Sequence, residues 1–87
     1  METTTKITRA EIVERILFFL KLITVSEDAS HMAMGYVTEL YQCGLITYQG
    51  VVALRDLVER AKSPQYLGRT LPKAKEERAN LVRKALK

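Results

Sequence analysis

Ile7-Thr8-Arg9-Ala10-Glu11-Ile12 and the apolar run behind it, Val13-Glu14-Arg15-Ile16-Leu17-Phe18-Phe19-Leu20-Lys21-Leu22-Ile23-Thr24, decide how the chain folds. Thr8 suits an N-cap, its hydroxyl accepting from the backbone N–H of Glu11 while the Glu11 carboxylate reaches back to the N–H of Thr8. Ile7 can clasp Ile12 as a hydrophobic staple. A helix is therefore expected from Arg9 to about Thr24. Its apolar positions are Ile12, Val13, Ile16, Leu17, Phe18, Phe19, Leu20, Leu22 and Ile23, wider than the stripe of about 100° that seats a helix on a core from one side. Glu11, Glu14, Arg15 and Lys21 occupy only the narrow remainder. This helix calls for cover on more than one side.

Downstream, Ser26-Glu27-Asp28-Ala29-Ser30 is a polar break with several potential caps. A second helix is expected from about Ser30, or from as early as Glu27, to Gln42, presenting Ala33, Val37, Leu40 and Tyr41 with Met34 close by. Gly44 stops it, because a missing Cβ permits the left-handed C′ conformation, and Leu45 supplies the accompanying hydrophobic contact. Thr47 can cap a third helix from Tyr48 to about Ala61. There Val51, Leu54, Leu57, Val58 and Ala61 form the apolar face, and Arg55, Asp56, Glu59 and Arg60 the polar one. So short a connection makes the second and third helices a tightly packed hairpin.

Ser63-Pro64 ends the third helix, since proline lacks the N–H and restricts the residue before it. Gln65 to Leu71, with Gly68, reads as a connector. Pro72 is placed in the first turn of a fourth helix reaching about Leu86. That helix has only Leu81, Val82, Ala85 and Leu86 as an apolar seam, so weak tethering is expected, by docking or by ordering on a partner. Residues 1–63 thus read as a helical core, and residues 64–87 as a basic connector and helix. Met1 to Lys6 are polar and expected to fray. The class is all-α: three packed helices plus a basic C-terminal one.

Composition agrees. The 87 residues are 47% hydrophobic and 28% charged, with four Gly and two Pro, too few for the many tight turns of a β-sandwich or barrel. No run approaches the roughly 20 apolar residues of a membrane span, and no signal peptide is recognisable. One Cys cannot form an internal disulfide, and one Cys with one His cannot complete an ordinary zinc site; the expected compartment is reducing and intracellular. The net charge of +4 is unevenly divided: the chain up to Ala61 carries −2 and the remainder +6. Any nucleic-acid argument therefore belongs to the tail.

Chemistry is poorly represented. His31 and Cys43 are the only reactive pair, and nothing marks a third group to orient the imidazole. Cys43 falls at a helix C-terminus, where the negative dipole end disfavours thiolate, and reads as an ordinary half-buried residue. His31 reads as surface or capping. No carboxylate pair suggests acid/base work and no glycine-rich phosphate loop exists, so the chain is read as a non-enzyme needing no cofactor, metal or small-molecule substrate. A helix-turn-helix reading of the hairpin meets a third helix with Thr47, Tyr48, Gln49, Val51 and Val52, and Arg55 flanked by Asp56, whose two acidic residues oppose phosphate. A structural hairpin is the better reading. The tail offers a stronger electrostatic case: Lys73, Lys75, Arg78, Arg83, Lys84 and Lys87 could neutralise phosphates without reading sequence. A solvated helix with cations at its C-terminal end is the plainer account.

The remaining signal is excess apolar surface. A chain this short buries only around 60% of its unfolded surface. A symmetric dimer with Phe18, Phe19 and Leu22 across the two-fold solves the cover problem of the first helix; enclosure by the other helices is the alternative. Tyr36, Tyr41, Tyr48 and Tyr66 are amphipathic anchors of a kind enriched at interfaces.

The opening Thr3-Thr4-Thr5-Lys6-Ile7-Thr8-Arg9-Ala10-Glu11-Ile12, the segment Met32-Ala33-Met34-Gly35-Tyr36-Val37-Thr38-Glu39-Leu40-Tyr41 and the following Gly44-Leu45-Ile46-Thr47 resemble the small antirepressors of temperate phages and prophages of enteric bacteria. The resemblance covers residue 3 to about residue 61 and leaves out the basic tail. It implies a protein of the bacterial host cytoplasm that binds its cognate phage repressor non-covalently and keeps it from the operator, leading to prophage induction, with no catalysis and no cofactor. A DNA mimic would show a dense acidic surface, which a body at −2 does not. Shape-matched helical contacts are expected instead, with Tyr36, Tyr41 and Tyr48 touching the repressor and Arg55 as a charge partner. The competing readings are a small nucleic-acid-binding regulator using the tail, and another protein-binding inhibitor of the toxin–antitoxin or anti-defence kind.

Overall fold

The computed structural model describes residues 7–86; the Met1–Lys6 segment and Lys87, a tail cation, lie outside the described residues. Four α-helices follow in order: α1 Arg9–Ile23, α2 Asp28–Gln42, α3 Tyr48–Lys62 and α4 Lys75–Ala85, with one 3₁₀ turn at Tyr66–Gly68 before the last. Among the described residues there is no strand, only an isolated antiparallel bridge between Ile46 and Leu86. No helix among them is long and apolar enough to cross a membrane. The fold is all-α.

Each boundary has a local cause. Thr8 is extended and its hydroxyl accepts from the N–H of Glu11 at 3.1 Å, while the Thr8 N–H donates to Glu11 Oε1 at 2.9 Å, completing the capping box. The Thr8 N–H and, at 3.2 Å, the Thr8 hydroxyl both donate to Glu11 Oε1, and these two bonds hold the Glu11 carboxyl below its usual range by favouring the charged form. At the end of α2, Gly44 takes φ 77°, its N–H donates to the Tyr41 carbonyl and the Leu45 N–H to that of Leu40. This is the paired closure of a Schellman turn, and it aims the chain straight into α3. Thr47 then caps α3 through the N–H of Gly50 at 3.2 Å. The start of α2 has no side-chain cap; Ser30, already inside the helix, is buried and donates to the Glu27 carbonyl at 2.7 Å.

The core lies on α1. Ile12, Val13, Ile16, Leu17, Leu20 and Ile23 are buried against α2, α3 and α4, each of which packs on α1. Leu54, Leu57 and Val58 of α3 and Val37 and Leu40 of α2 complete the interior. Fully burying side chains such as Leu20, Leu54 and Val37 stabilises the fold by roughly 1.5–3 kcal/mol each. The cover that α1 requires therefore comes largely from within the chain. Phe18 is the exception, 60% exposed, with Phe19 and Leu22 half-buried beside it.

Three features define the last helix: a start later than expected, docking as the one of its two expected alternatives that is found, and a close approach to α3. It starts at Lys75, after Ala74, so Pro72 lies before the helix and not in its first turn. The Pro72 and Lys73 carbonyls instead accept from Arg78 at 3.1 and 2.6 Å, which fastens the extended connector to the helix it precedes. Second, α4 is docked: Val82 is 0% exposed, and Ala79 and Ala85 are buried against α1 and α3. Ala79, a residue of small apolar area, is what makes the seam continuous. Third, Gly50 allows the helix to approach, because a Cβ there would collide with the Ala85 carbonyl oxygen.

The polar face expected of α3 also changes. Arg60 is only 7% exposed, because the connector folds back over it. Its guanidinium bonds Asp56 at 2.9 Å and reaches the Thr70 carbonyl at 3.5 Å, and Arg69 joins the same carboxylate at 3.5 Å. A buried guanidinium is tolerated only with such partners. Asp56 is thus occupied as a structural counter-charge.

Candidate protein-binding surface

Four of the nine exposed large apolar side chains among the described residues, Tyr41, Leu45, Tyr48 and Val52, lie at or beside the turn between α2 and α3; Ile7, Phe18, Val25, Met32 and Leu67 are exposed elsewhere. Because the Schellman closure brings the helices together within five residues, Tyr41 in the last turn of α2 meets Tyr48 in the first turn of α3. Their ring centroids are 6.4 Å apart in an edge-on arrangement. Both rings are exposed, Tyr48 at 67%. Leu45 at the turn and Val52 one turn beyond Tyr48 are also exposed. Tyr48, Val52 and Arg55 are spaced i, i+4, i+7, which puts them on one face of α3. Tyr41, Tyr48 and Arg55 are therefore brought to one side of the molecule, with Leu45 and Val52 between.

Tyr36 lies apart from them. It is half-buried on α2 toward α1, 5.8 Å from the Phe19 ring, with the Arg15 guanidinium 5.5 Å above its own ring. Its hydroxyl is covered and has no hydrogen-bond partner among the described residues. Burial pushes the phenol up from its ordinary value, partly opposed by Arg15. Tyr66, in the 3₁₀ turn, is half-buried. The tyrosines thus divide between exposed and packed settings that a sequence cannot separate, since both positions recur at helical spacing.

The basic tail does not form a single stripe. Lys75 pairs with Glu14 of α1 at 3.6 Å, and Arg78 is spent on the connector carbonyls. Arg83 bonds Asn80 at 2.6 Å and Glu76 at 3.5 Å. Lys84 is nine positions from Lys75, two and a half turns at about 3.6 residues each, and so points the opposite way. Lys73 lies in the connector, and Glu76 and Glu77 share the helix with its cations. His31 and Cys43 are both exposed. Cys43 was expected to be half-buried; it follows the last turn of α2, where no other element covers it.

Leu45 reads from the sequence only as the contact closing the α2 turn and Val52 only as part of a helix-turn-helix comparison, neither as a binding residue. Their one signal was spacing: each lies beside a tyrosine yet off the interior stripe that Leu40, Leu54 and Leu57 define. No protein-family model, curated protein or solved structure matches the chain.

Proposed function

We propose that the chain is an antirepressor, a protein that captures a phage repressor by non-covalent contact and keeps it from its operator. The observation carrying this reading is the Tyr41–Tyr48 pair set among Leu45, Val52 and Arg55. A paired aromatic centre with an arginine at its edge is the composition of an interface hot spot. It sits on a rigid base, since both helices are capped at the turn, so ordering the contact costs little entropy. The resemblance of residues 3–61 to phage antirepressors supplies the class of partner. The mixed charges of the surface suit contact by shape better than imitation of DNA. The scattering of the α4 cations weighs against a nucleic-acid regulator.

The test is capture on the immobilised full chain from an extract of lysogenic cells, followed by operator release with the captured protein. A helix-turn-helix repressor should be retained and should leave labelled operator DNA as the chain is added. Tyr48→Ala should weaken capture by about 2 kcal/mol or more, roughly thirtyfold, with helicity unchanged. Recovery of no repressor, or equal capture by the variant, refutes the reading.

A further inference from the structure

We infer that a second copy of this chain covers the open ridge of α1, in an isologous dimer centred on Phe18. This does not rest on the antirepressor reading; it concerns a different face. Glu14, Phe18 and Lys21 are spaced i, i+4, i+7, so they follow one another along the exposed side of α1. Phe18 stands out of the surface at 60% exposure. Phe18 borders a groove of about 410 Å³ whose apolar lining is Leu17, Leu20 and Leu71 and whose polar lining is Glu14, Lys21, Thr24, Lys75 and Arg78. A projecting ring and an apolar recess next to it, on one face, are what a two-fold axis joins. Each copy's Phe18 enters the groove of the other, and residue i meets j while j meets i.

The charges obey the same symmetry. Glu14 and Lys21 are equally far from the point between Leu17 and Phe18. Two α1 helices crossing antiparallel at that point set Glu14 of each copy against Lys21 of the other, forming two identical ion pairs around the phenylalanines. Within one chain Glu14 has only the exposed contact to Lys75, and Lys21 makes no ion pair among the described residues. Leu22, half-buried one turn beyond Phe18, borders the contact. An unrelated partner would need to supply both complementary features, whereas this face already holds both halves. From Glu14 to Lys21 the ridge is only about 10 Å long, so the interface is small and weak association is expected.

The decisive measurement is mass by analytical ultracentrifugation from about 1 to 100 μM. The wild type should move toward twice 9.9 kDa over this range. Phe18→Glu should stay at one chain's mass with unchanged circular dichroism, since the ring is exposed. Glu14→Lys and Lys21→Glu should each weaken association about tenfold or more, and the double variant should restore it, because reversing both ends recreates each pair. A wild type that remains monomeric at about 100 μM overturns the inference. So does a Phe18→Glu variant that dimerises normally, a double reversal that fails to rescue, or Phe18→Glu abolishing repressor capture without changing the chain's own mass, which would assign the face to the repressor.

Discussion

A single oxygen in α2 has a measurable cost. The Tyr36 hydroxyl is covered without a partner among the described residues, while its ring is held by Phe19 and Arg15. A polar group removed from water without a hydrogen bond costs about 1–3 kcal/mol, whereas deleting it from an otherwise retained ring is neutral or stabilising. Tyr36→Phe should therefore leave stability unchanged or raise it by about 1 kcal/mol, read from the denaturant midpoint at constant m. Burial favours the neutral phenol, so its contribution holds below the ordinary tyrosine range and is lost as pH rises through the raised value. In an ultraviolet absorbance titration, the component missing from Tyr36→Phe should be one that ionises late. At this scale the sequence is least legible. Tyr36 and Tyr48 are the same residue at comparable helical spacing, and only the packed helices distinguish an interior ring from an exposed one. Arg60 gave no sign of burial either, because its cover comes from Thr70, ten residues on in a segment without regular structure.

Among the elements, α3 and α4 are joined where their backbones nearly touch. Gly50 has nowhere to put a methyl group except into the Ala85 carbonyl oxygen, with Ile46 Cβ 3.2 Å away. Gly50→Ala should destabilise by about 1–3 kcal/mol, as overpacking does, despite the better helix propensity of alanine. Faster amide exchange concentrated in α4 would locate the damage there; exchange rising equally in all helices, or no loss of stability, contradicts it. Elements with strong local chemistry were readable without the fold: the Thr8–Glu11 box fixed where α1 begins, and Gly44 fixed where α2 ends. The start of α4 was not. Pro72 satisfies the rule for a first helical turn, but the Pro72 and Lys73 carbonyls accept from the Arg78 side chain six and five residues on, and the helix starts at Lys75.

Across the whole molecule, the composition break at Ser63 marks a change in chemistry more than in packing. Val82, Ala79 and Ala85 are as deeply buried as the residues of α1 they meet. A chain ending at Ser63 would expose α1 and α3 along the seam that α4 fills, losing about 0.8 kcal/mol for each methylene uncovered. It should unfold without a cooperative transition or bind a hydrophobic dye, while the full chain melts as one unit; a truncated chain with a sharp, full-size transition would contradict this. Charge reversal at Lys84 is for the same reason a better probe of the tail than its removal. The all-α class and the helical hairpin could be read from spacing alone, because period and caps are local. Of the exposed cluster, the sequence points to Tyr41 and Tyr48 but to Tyr36 along with them, and not to Leu45 or Val52, because exposure depends on which apolar positions the other helices leave uncovered.

The bridge between Ile46 and Leu86 gives that cluster a long-range connection. It fastens the end of α4 to the turn that presents Tyr41 and Tyr48, next to the Gly50–Ala85 approach. Thermodynamic linkage then runs both ways. Under the proposed function, a partner gripping the turn should reduce fraying of α4, and loosening α4 should lower the partner's affinity, both readable by amide exchange with and without the partner. Ala85 and Leu86 would then act as a tuning weight on a surface they do not themselves form.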